Sequence, residues 1–286
     1  MKIPPDTEAS VHGPPGCNVR PDQNNLSICV LASGSKGNAI YVASSQTAVL
    51  FDAGLSGIQI ERRMQQRGIS PDTLDALVVS HEHSDHVSGI GVLARRYRLP
   101  VYINPGTQEA VSRHLGRIDT FCAFDCGTAF SISDLTIHPF SVSHDAAAPA
   151  SFTIQNDCGK IGIATDLGFA PAMVRQHLKD CNLLVLEANH DIEMLEQGPY
   201  PWPVKQRVKS RTGHLSNESA RDLLLEVLHE NLRHVILAHI SETNNTPEKA
   251  LSAVTGRLNG GRPRFSAACQ HTCGDLIHLG SFPDGP

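Results

Sequence analysis

Residues 81–86, HEHSDH, constrain this chain more than any other segment, because five of the six side chains can bind a metal ion. They directly follow the apolar run DALVVS, which predicts a short buried strand. His81 and His83 lie two positions apart and therefore point to the same side of an extended backbone. Imidazole and carboxylate groups are suitable ligands for zinc, manganese or iron. We therefore predict a metal site at this strand end rather than a solvated polar loop.

Polar residues end four further apolar strands predicted from the sequence. A lone strand-end histidine is usually structural, but four such ends beside HEHSDH favour additional ligands. One short segment also has too few groups for two metal ions. These ends are Asp52 after TAVLF, His144 after LTIHPFSVS, Asp166 after KIGIAT and His239 after HVILA.

Composition limits the class of protein. Of 286 residues, 40% are hydrophobic and 19% charged, which is enough apolar material for a packed core. No run approaches the roughly 18 apolar residues of a membrane helix, and the N-terminus has no secretory apolar block. We therefore expect a cytoplasmic protein that does not bind membranes. The net charge of −5 excludes nucleic-acid binding by global positive charge, although not by a local basic track.

The order of predicted elements indicates the architecture. Residues 1–25 contain five prolines and predict a flexible N-terminal extension, followed by one domain over 26–286. Strands come first and helices are interspersed, which suits an α/β (α+β) sandwich of two mixed sheets with helices outside. Residues 191–211, rich in proline, predict an irregular segment, and RFSAA predicts the last strand. Two C-x3-C pairs, Cys122/Cys126 and Cys269/Cys273, allow a four-thiolate zinc site, but their spacing is atypical and favours ordinary cysteines.

HEHSDH resembles the H-x-H-x-D-H signature of the metallo-β-lactamase fold hydrolases. The motifs FDAG, HEHSDH, SVSH, ATDLG and AHIS follow that family's order over roughly residues 26–245. The resemblance implies a four-layer αββα sandwich of two mixed β-sheets. It also implies that one metal ion is held by His81, His83 and His144, a second by Asp85, His86 and His239, and that Asp166 bridges both while Asp52 orients the site.

The implied centre holds two divalent ions, zinc or manganese. Two ions about 3.5–4 Å apart can share a bridging hydroxide and stabilise the leaving oxygen of an in-line displacement. This chemistry favours phosphodiester hydrolysis, with Asp85 and Asp166 among the catalytic groups. No cysteine occupies a ligand position, which argues against the thiolate-containing type of β-lactamase site.

The segment GHLS before a long amphipathic helix resembles the tRNase Z-like phosphodiesterases. That resemblance implies that His214 is catalytic without being a ligand, as proton donor to the leaving oxygen. Such a proton transfer typically contributes about 10²–10⁴-fold in rate. The alternative is a histidine at a helix N-terminus with no catalytic part.

Four segments resemble the YycJ group of exonuclease-like bacterial proteins: SGSKGNA, SHEHSDHVSGI, GHLSNESA and AHISETNNTPEKA. This resemblance implies a 5′-directed DNA exonuclease. The basic track KQRVKSR before His214 is a candidate phosphate-binding surface, with a solvated loop as its alternative. The candidate phosphate or nucleic-acid contacts are Ser33, Ser35, Asn38, Lys209, Arg211 and Asn244.

Other functions remain open from the sequence. The same metal core serves hydrolases of cyclic phosphodiesters or thioesters, and a tRNA 3′-processing-like RNase. No segment predicts the long arm that clasps tRNA, and the chain is too short for a β-CASP insertion. A metal-dependent binding module without catalysis is the non-enzymatic alternative. The sequence does not distinguish DNA from RNA and does not predict an oligomeric state.

Overall fold

The computed structural model describes residues 25–256 and 263–281. Residues 1–24, nearly all of the predicted N-terminal extension, lie outside this description. The described residues form two seven-stranded sheets flanked by helices. No helix within these described ranges is long and apolar enough to cross a bilayer.

The elements alternate along the chain much as the sequence predicts. The strands are β1 (Ser27–Ala32), β2 (Ala39–Ala43), β3 (Ala48–Phe51), β4 (Ala76–Val78), β5 (Val101–Ile103), β6 (Phe121–Ala123), β7 (Phe130–Ile132), β8 (Leu135–Ser141), β9 (Ala150–Asn156), β10 (Gly159–Ala164), β11 (Leu183–Glu187), β12 (His234–Ala238), β13 (Arg264–Ala267) and β14 (Ile277–His278). The α-helices are α1 (Gly57–Gln66), α2 (Ser84–Val87), α3 (Ile90–Tyr97), α4 (Pro105–Leu115), α5 (Ala172–Leu178), α6 (Ile192–Gln197), α7 (Trp202–Val208), α8 (Asn217–Val227) and α9 (Pro247–Thr255), with 3-10 turns at Pro71–Thr73 and Leu279–Ser281.

Sheet direction brings the predicted ligands to one edge. The first sheet has the order β14-β1-β2-β3-β4-β5-β6, and β1, β3 and β4 run the same way. The second has the order β13-β12-β11-β10-β9-β8-β7, and β8, β10, β11 and β12 run the same way. In open α/β sheets, ligands bind outside the carboxyl ends of the strands. The expected metal ligands follow β4, β8, β10 and β12, and Asp52, which is expected to orient the site, follows β3.

Three apolar clusters define the layers. Phe51 of β3 and Phe152 of β9 lie 5.2 Å apart between ring centres, within the cluster that joins the two sheets. A second cluster packs the first sheet against α1 and α3, through residues such as Met64 and Leu93. A third packs the second sheet against α5, α8 and α9, through residues such as Leu224. The predicted four-layer αββα sandwich is confirmed.

Two local expectations are wrong. Residues 191–211 are not irregular but contain α6 and α7, because the prolines fall outside helix interiors: Pro201 caps α7 and Pro203 lies in its first turn. RFSAA is not the last strand, since Ile277 and His278 pair antiparallel with β1. A four-thiolate site is excluded by topology. Cys122 lies on β6 at one edge of the first sheet, whereas Cys273 lies beside β1 near the opposite edge.

Candidate metal centre

Three imidazoles meet at the ends of β4 and β8. His83 Nδ1 lies 3.1 Å from His81 Nε2 and 3.3 Å from His144 Nε2. Ligands at the usual Zn–N distance of a tetrahedral site are about 3.4 Å from one another. The three nitrogen atoms therefore have the spacing of a metal-binding group, and we call these residues the histidine group.

A second set of donors lies beside the histidine group. Asp85 Oδ2 lies 3.6 Å from His86 Nε2 and 3.7 Å from His239 Nε2. We call these three residues the mixed group. Its donors come from the HEHSDH segment and from the residue after β12, so both sheets contribute to it.

Asp166 faces both groups. Its Oδ2 lies 3.4 Å from His86 Nε2, and its Oδ1 lies 3.4 Å from His239 Nε2 and 3.9 Å from His144 Nε2. Asp166 Oδ2 and His239 Nε2 are buried and have no hydrogen-bond partner. Leaving such atoms unpaired costs about 1–3 kcal/mol each, so buried polar groups of this kind normally have a partner. A metal-binding site requires ligand atoms that are free of hydrogen bonds in this way, so these residues fit divalent cations.

The backbone turns sharply where three of the strands end. Asp52, Asp166 and His239 have positive φ angles of 59°, 58° and 52°. The left-handed conformation costs a non-glycine residue roughly 1–2 kcal/mol. Strain of this kind clusters at active sites, where the surrounding structure maintains it. Gly54, in the FDAG motif, allows close packing nearby, because a Cβ there would lie 1.6 Å from the carbonyl oxygen of Asp85.

Asp52 holds the HEHSDH segment in place without facing the metal donors. Its Oδ2 lies 2.8 Å from His86 Nδ1 and accepts a 2.7 Å hydrogen bond from Ser80 Oγ. The backbone N–H of Ser80 donates to Oδ1, and Ser80 Oγ lies 2.9 Å from His81 Nδ1. Contacts of this type fix the tautomer and ring orientation of a metal-binding histidine. The contacts of Asp52 are therefore with residues that carry the expected ligands, and its orienting role stays a prediction.

Glu187 is a site residue that the sequence analysis missed. The side chain is fully buried, and Oε1 lies 2.7 Å from His214 Nδ1 and 3.1 Å from His239 Nδ1. Its Oε2 accepts hydrogen bonds from the backbone N–H groups of Leu167 and Leu215. Four hydrogen bonds satisfy this carboxylate, so it orients two histidines rather than binding metal. The signal was present, because Glu187 ends the apolar run NLLVLE as the predicted ligands end theirs.

Charges around the mixed group favour cations. Burial alone would lower the pKa of His86, but Asp166 and Asp52 outweigh it and raise that pKa to about 9. Burial would likewise raise the pKa of Asp166, but His239 and His86 hold it below its usual range. In the histidine group, burial holds the pKa of His81 well below its ordinary value. A field that stabilises buried imidazolium also stabilises a divalent cation.

We expect protein stripped of metal by a chelator to lose stability as the pH rises from about 6.5 to about 9. The pKa of His86 is higher in the folded than in the unfolded protein. The stabilisation by the charged imidazole is therefore complete below the unfolded pKa and is lost as the pH rises past the folded pKa of about 9. The expected loss is about 3 kcal/mol. Melting temperatures measured across this range test the expectation. Metal-loaded protein is the control and should show no such fall, because a metal-bound imidazole carries no proton at that nitrogen. A flat profile for stripped protein would contradict the charge assignment.

His214 lies next to the two donor groups and lines a small pocket beside them. His214 lies beside the metal donors, its ring centre 5.2 Å from that of His144 and 5.1 Å from that of His239. It lines a pocket of about 150 Å³ together with Ser35 and Asn244. Arg207 and Tyr200 line the same pocket.

Four other predicted contacts already have partners within the chain. Ser33 Oγ accepts a hydrogen bond from the backbone N–H of His239, and Asn38 Nδ2 lies 3.3 Å from Asp85 Oδ2. Both side chains thus support the metal-binding segments. In the basic track, Lys209 pairs with Glu196 and Arg211 lies over the ring of Phe169. The structure brings Ser33, Ser35, Asn38 and Asn244 to the site, whereas Lys209 and Arg211 are engaged beside it.

This fold, with two donor groups at the strand ends, defines a class of metal-binding sandwich proteins. Residues 47–240 match the Beta-lactamase superfamily domain, and the chain belongs to that family.

Curated relatives and solved structures agree with the family. The chain is 40% identical to Exodeoxyribonuclease YycJ of Bacillus anthracis, over 80% of this chain and 88% of that protein. It is 37% identical to Exodeoxyribonuclease WalJ of Streptococcus pneumoniae, over 80% and 87% respectively. The metallo-beta-lactamase fold protein YhfI of Bacillus subtilis superposes with a TM-score of 0.70 at 17% identity, covering 89% of this chain and 99% of that one. The short form of human tRNase Z superposes with a TM-score of 0.61 at 14% identity, covering 86% and 98%.

Proposed function

We propose that this protein is a dinuclear metal-dependent phosphodiesterase that degrades DNA from its 5′ end. The observation that carries the proposal is the arrangement of two donor groups around one shared carboxylate, Asp166. The exodeoxyribonuclease names of relatives at 37–40% identity support the choice of substrate.

The donor set suits two divalent ions, zinc or manganese, since its ligands are imidazoles and carboxylates. When bound, such ions supply water activation at neutral pH and neutralise charge on a phosphate. The histidine group would hold one ion and the mixed group the other, with Asp166 contacting both. Asp85 belongs to the mixed group, and its pKa supports the assignment: burial would raise that pKa, but His239 and His86 hold it well below its usual range. The carboxylate therefore stays charged at any working pH.

Glu187 and His214 supply the proton chemistry. His214 Nδ1–H donates to Glu187, which is held in turn by the backbone at Leu167 and Leu215. A histidine anchored at Nδ1 has Nε2 left for the substrate. We assign to His214 the transfer of a proton to the leaving oxygen of the phosphodiester, a role that needs the histidine to be fixed but not buried, and its side chain is 17% exposed.

The pocket beside His214 is the proposed position of the terminal nucleotide. Its lining combines a phenol, a guanidinium and a hydroxyl, from Tyr200, Arg207 and Ser35. Arg207 Nε lies 3.5 Å from Asp145 Oδ2, but 63% of its side chain is exposed. An aromatic ring can stack on a base, and a guanidinium can pair with a phosphate. The local basic track would thus contact the substrate through Arg207 rather than through Lys209.

Oligonucleotides labelled at either end test the proposal. With zinc or manganese present, DNA labelled at the 5′ end should release its label as a mononucleotide in the first time points, whereas 3′-labelled DNA should give a ladder of shortening products. A chelator should abolish both. Matched RNA, a cyclic nucleotide, a glutathione thioester and bis-p-nitrophenyl phosphate complete the panel. Cleavage of the cyclic nucleotide or thioester but not of DNA would overturn the nuclease proposal, and early release of a 3′ label would overturn its polarity.

A further inference from the structure

Two cysteines far apart in sequence meet at the edge of the first sheet. Cys29 Sγ, on β1, lies 3.6 Å from Cys273 Sγ in the segment between β13 and β14. The backbone fixes this approach, because the N–H of Gly274 donates to the carbonyl oxygen of Val30 at 2.9 Å. A disulfide needs a sulfur–sulfur distance of about 2.05 Å, so a movement of about 1.6 Å would allow the bond.

The surroundings distinguish the two thiols. Arg67 donates to the carbonyl oxygen of Cys273 at 2.5 Å and forms an ion pair with Asp275. The hydrogen bond from Cys29, which outweighs the effect of burial, together with Arg67 lowers the pKa of Cys273 to about 6. Cys29 is fully buried, and its pKa is raised instead. Cys273 is buried but lines a pocket of about 560 Å³, which is large enough to admit a small peroxide. Cys273 is therefore the thiol that reacts as the thiolate, and Cys29 is the resolving thiol.

The segment that carries Cys273 also supports the metal centre. Gln270 is buried, its Oε1 accepts a hydrogen bond from the N–H of Lys36 and its Nε2 donates to the carbonyl oxygen of Gly37. The loop held in this way contains Ser33 and Asn38, which contact His239 and Asp85. Cys273 is therefore three residues along the chain from Gln270, whose contacts lead through this loop to the mixed group.

We propose that Cys29 and Cys273 form a redox-active dithiol site, oxidised by peroxides to a disulfide that fastens the segment carrying Gln270 to β1 and slows the loss of metal. The proposal does not depend on the nuclease activity, because it concerns the chain and its metal donors only.

The chemistry balances with one peroxide per pair. The thiolate of Cys273 attacks one oxygen of hydrogen peroxide and the O–O bond breaks. The departing hydroxide takes up a proton and leaves as water, and Cys273 becomes a sulfenic acid. The sulfur of Cys29 then attacks the sulfenic sulfur, the S–S bond forms, and the hydroxyl leaves as water with the proton of Cys29. Two thiols and one peroxide give one disulfide and two waters, and an added thiol reductant reverses the change.

Peptide mapping without reductant tests the site on metal-loaded full-length protein treated with hydrogen peroxide. We expect a linked peptide containing Cys29 and Cys273, lost on reduction, and a melting temperature higher by about 5 to 10 °C in the oxidised form. Cys29→Ser and Cys273→Ser should each abolish the shift. Cys181→Ser is the matched control for a buried cysteine and should retain it. Free thiols at both positions after treatment, or a bond from Cys273 to Cys269, would overturn the proposal.

Metal release into excess chelator tests the connection to the metal centre without any substrate. We expect release from the oxidised protein to be about fivefold slower, the scale of one retained hydrogen bond. Gln270→Ala removes the contact to the loop and should make release insensitive to oxidation while the disulfide still forms. Equal release rates in the oxidised and reduced wild type would refute the connection.

Discussion

Replacing Asp166 by alanine is expected to abolish activity and to reduce the bound metal below one ion per chain. Its two oxygens lie 3.4 Å from donors on His86 and His239 of the mixed group, and Oδ1 also lies 3.9 Å from His144 Nε2 of the histidine group. The same change leaves two buried imidazoles without the negative charge that raises the pKa of each. We expect turnover to fall by at least about 10³-fold, the scale on which a preorganised charged group contributes to catalysis.

Metal analysis and turnover should be measured on the same Asp166→Ala preparation, with circular dichroism to confirm the fold. Asp157→Ala is the matched control, because Asp157 is exposed in the turn between β9 and β10 of the same sheet. That variant should keep both metal and activity. Two tightly bound ions per chain in Asp166→Ala would show that Asp166 does not join the two groups.

Replacing His214 by alanine should leave the metal content unchanged, in contrast to Asp166→Ala. Like Asp166→Ala, it should slow the hydrolysis of DNA. The residue contacts Glu187 through Nδ1 and belongs to neither the histidine group nor the mixed group, so metal content should stay at the wild-type level. We expect DNA hydrolysis to slow by about 10²–10⁴-fold, because a poor alkoxide leaving group needs a proton. Bis-p-nitrophenyl phosphate has a good leaving group and should be affected far less.

The ratio of the two substrates is the informative measurement for His214→Ala. A purely structural histidine would reduce both rates equally, whereas a proton donor changes the ratio. His114→Ala is the matched control, since His114 is exposed on α4. An unchanged rate on DNA would remove His214 from the reaction. Loss of metal in this variant would instead place His214 among the ligands, as its position near Asp166 and His239 allows.

The metal donors were predictable because chemistry and position coincide in the sequence. An apolar strand that ends in histidine or aspartate puts that side chain at the carboxyl edge of a sheet, and the family's motif order identifies which ends belong together. Glu187 follows the same rule, but it stands outside the family motifs that identify the other strand ends. Its role depends on two histidines that arrive from elsewhere in the chain. The sequence alone does not show that these two histidines lie beside Glu187.

Other features depend on contacts that no local pattern encodes. No sequence pattern gives Gln270 a role, yet Gln270 holds the loop at Lys36 and Gly37, more than two hundred positions earlier. The basic track is a similar case, because charge counting predicts phosphate contacts for Lys209. The structure gives that ammonium group a carboxylate partner on α6, in a segment expected to be irregular.

The division of the donors between the two sheets has a consequence for how the protein matures. Asp52 and the HEHSDH segment belong to the half of the chain synthesised first, whereas Asp166 and His239 emerge much later. A nascent chain can assemble β1 to β6 of the first sheet while it still lacks part of each donor group. Full-affinity binding of metal therefore requires that His239 has been synthesised, and a bound ion then connects the two sheets.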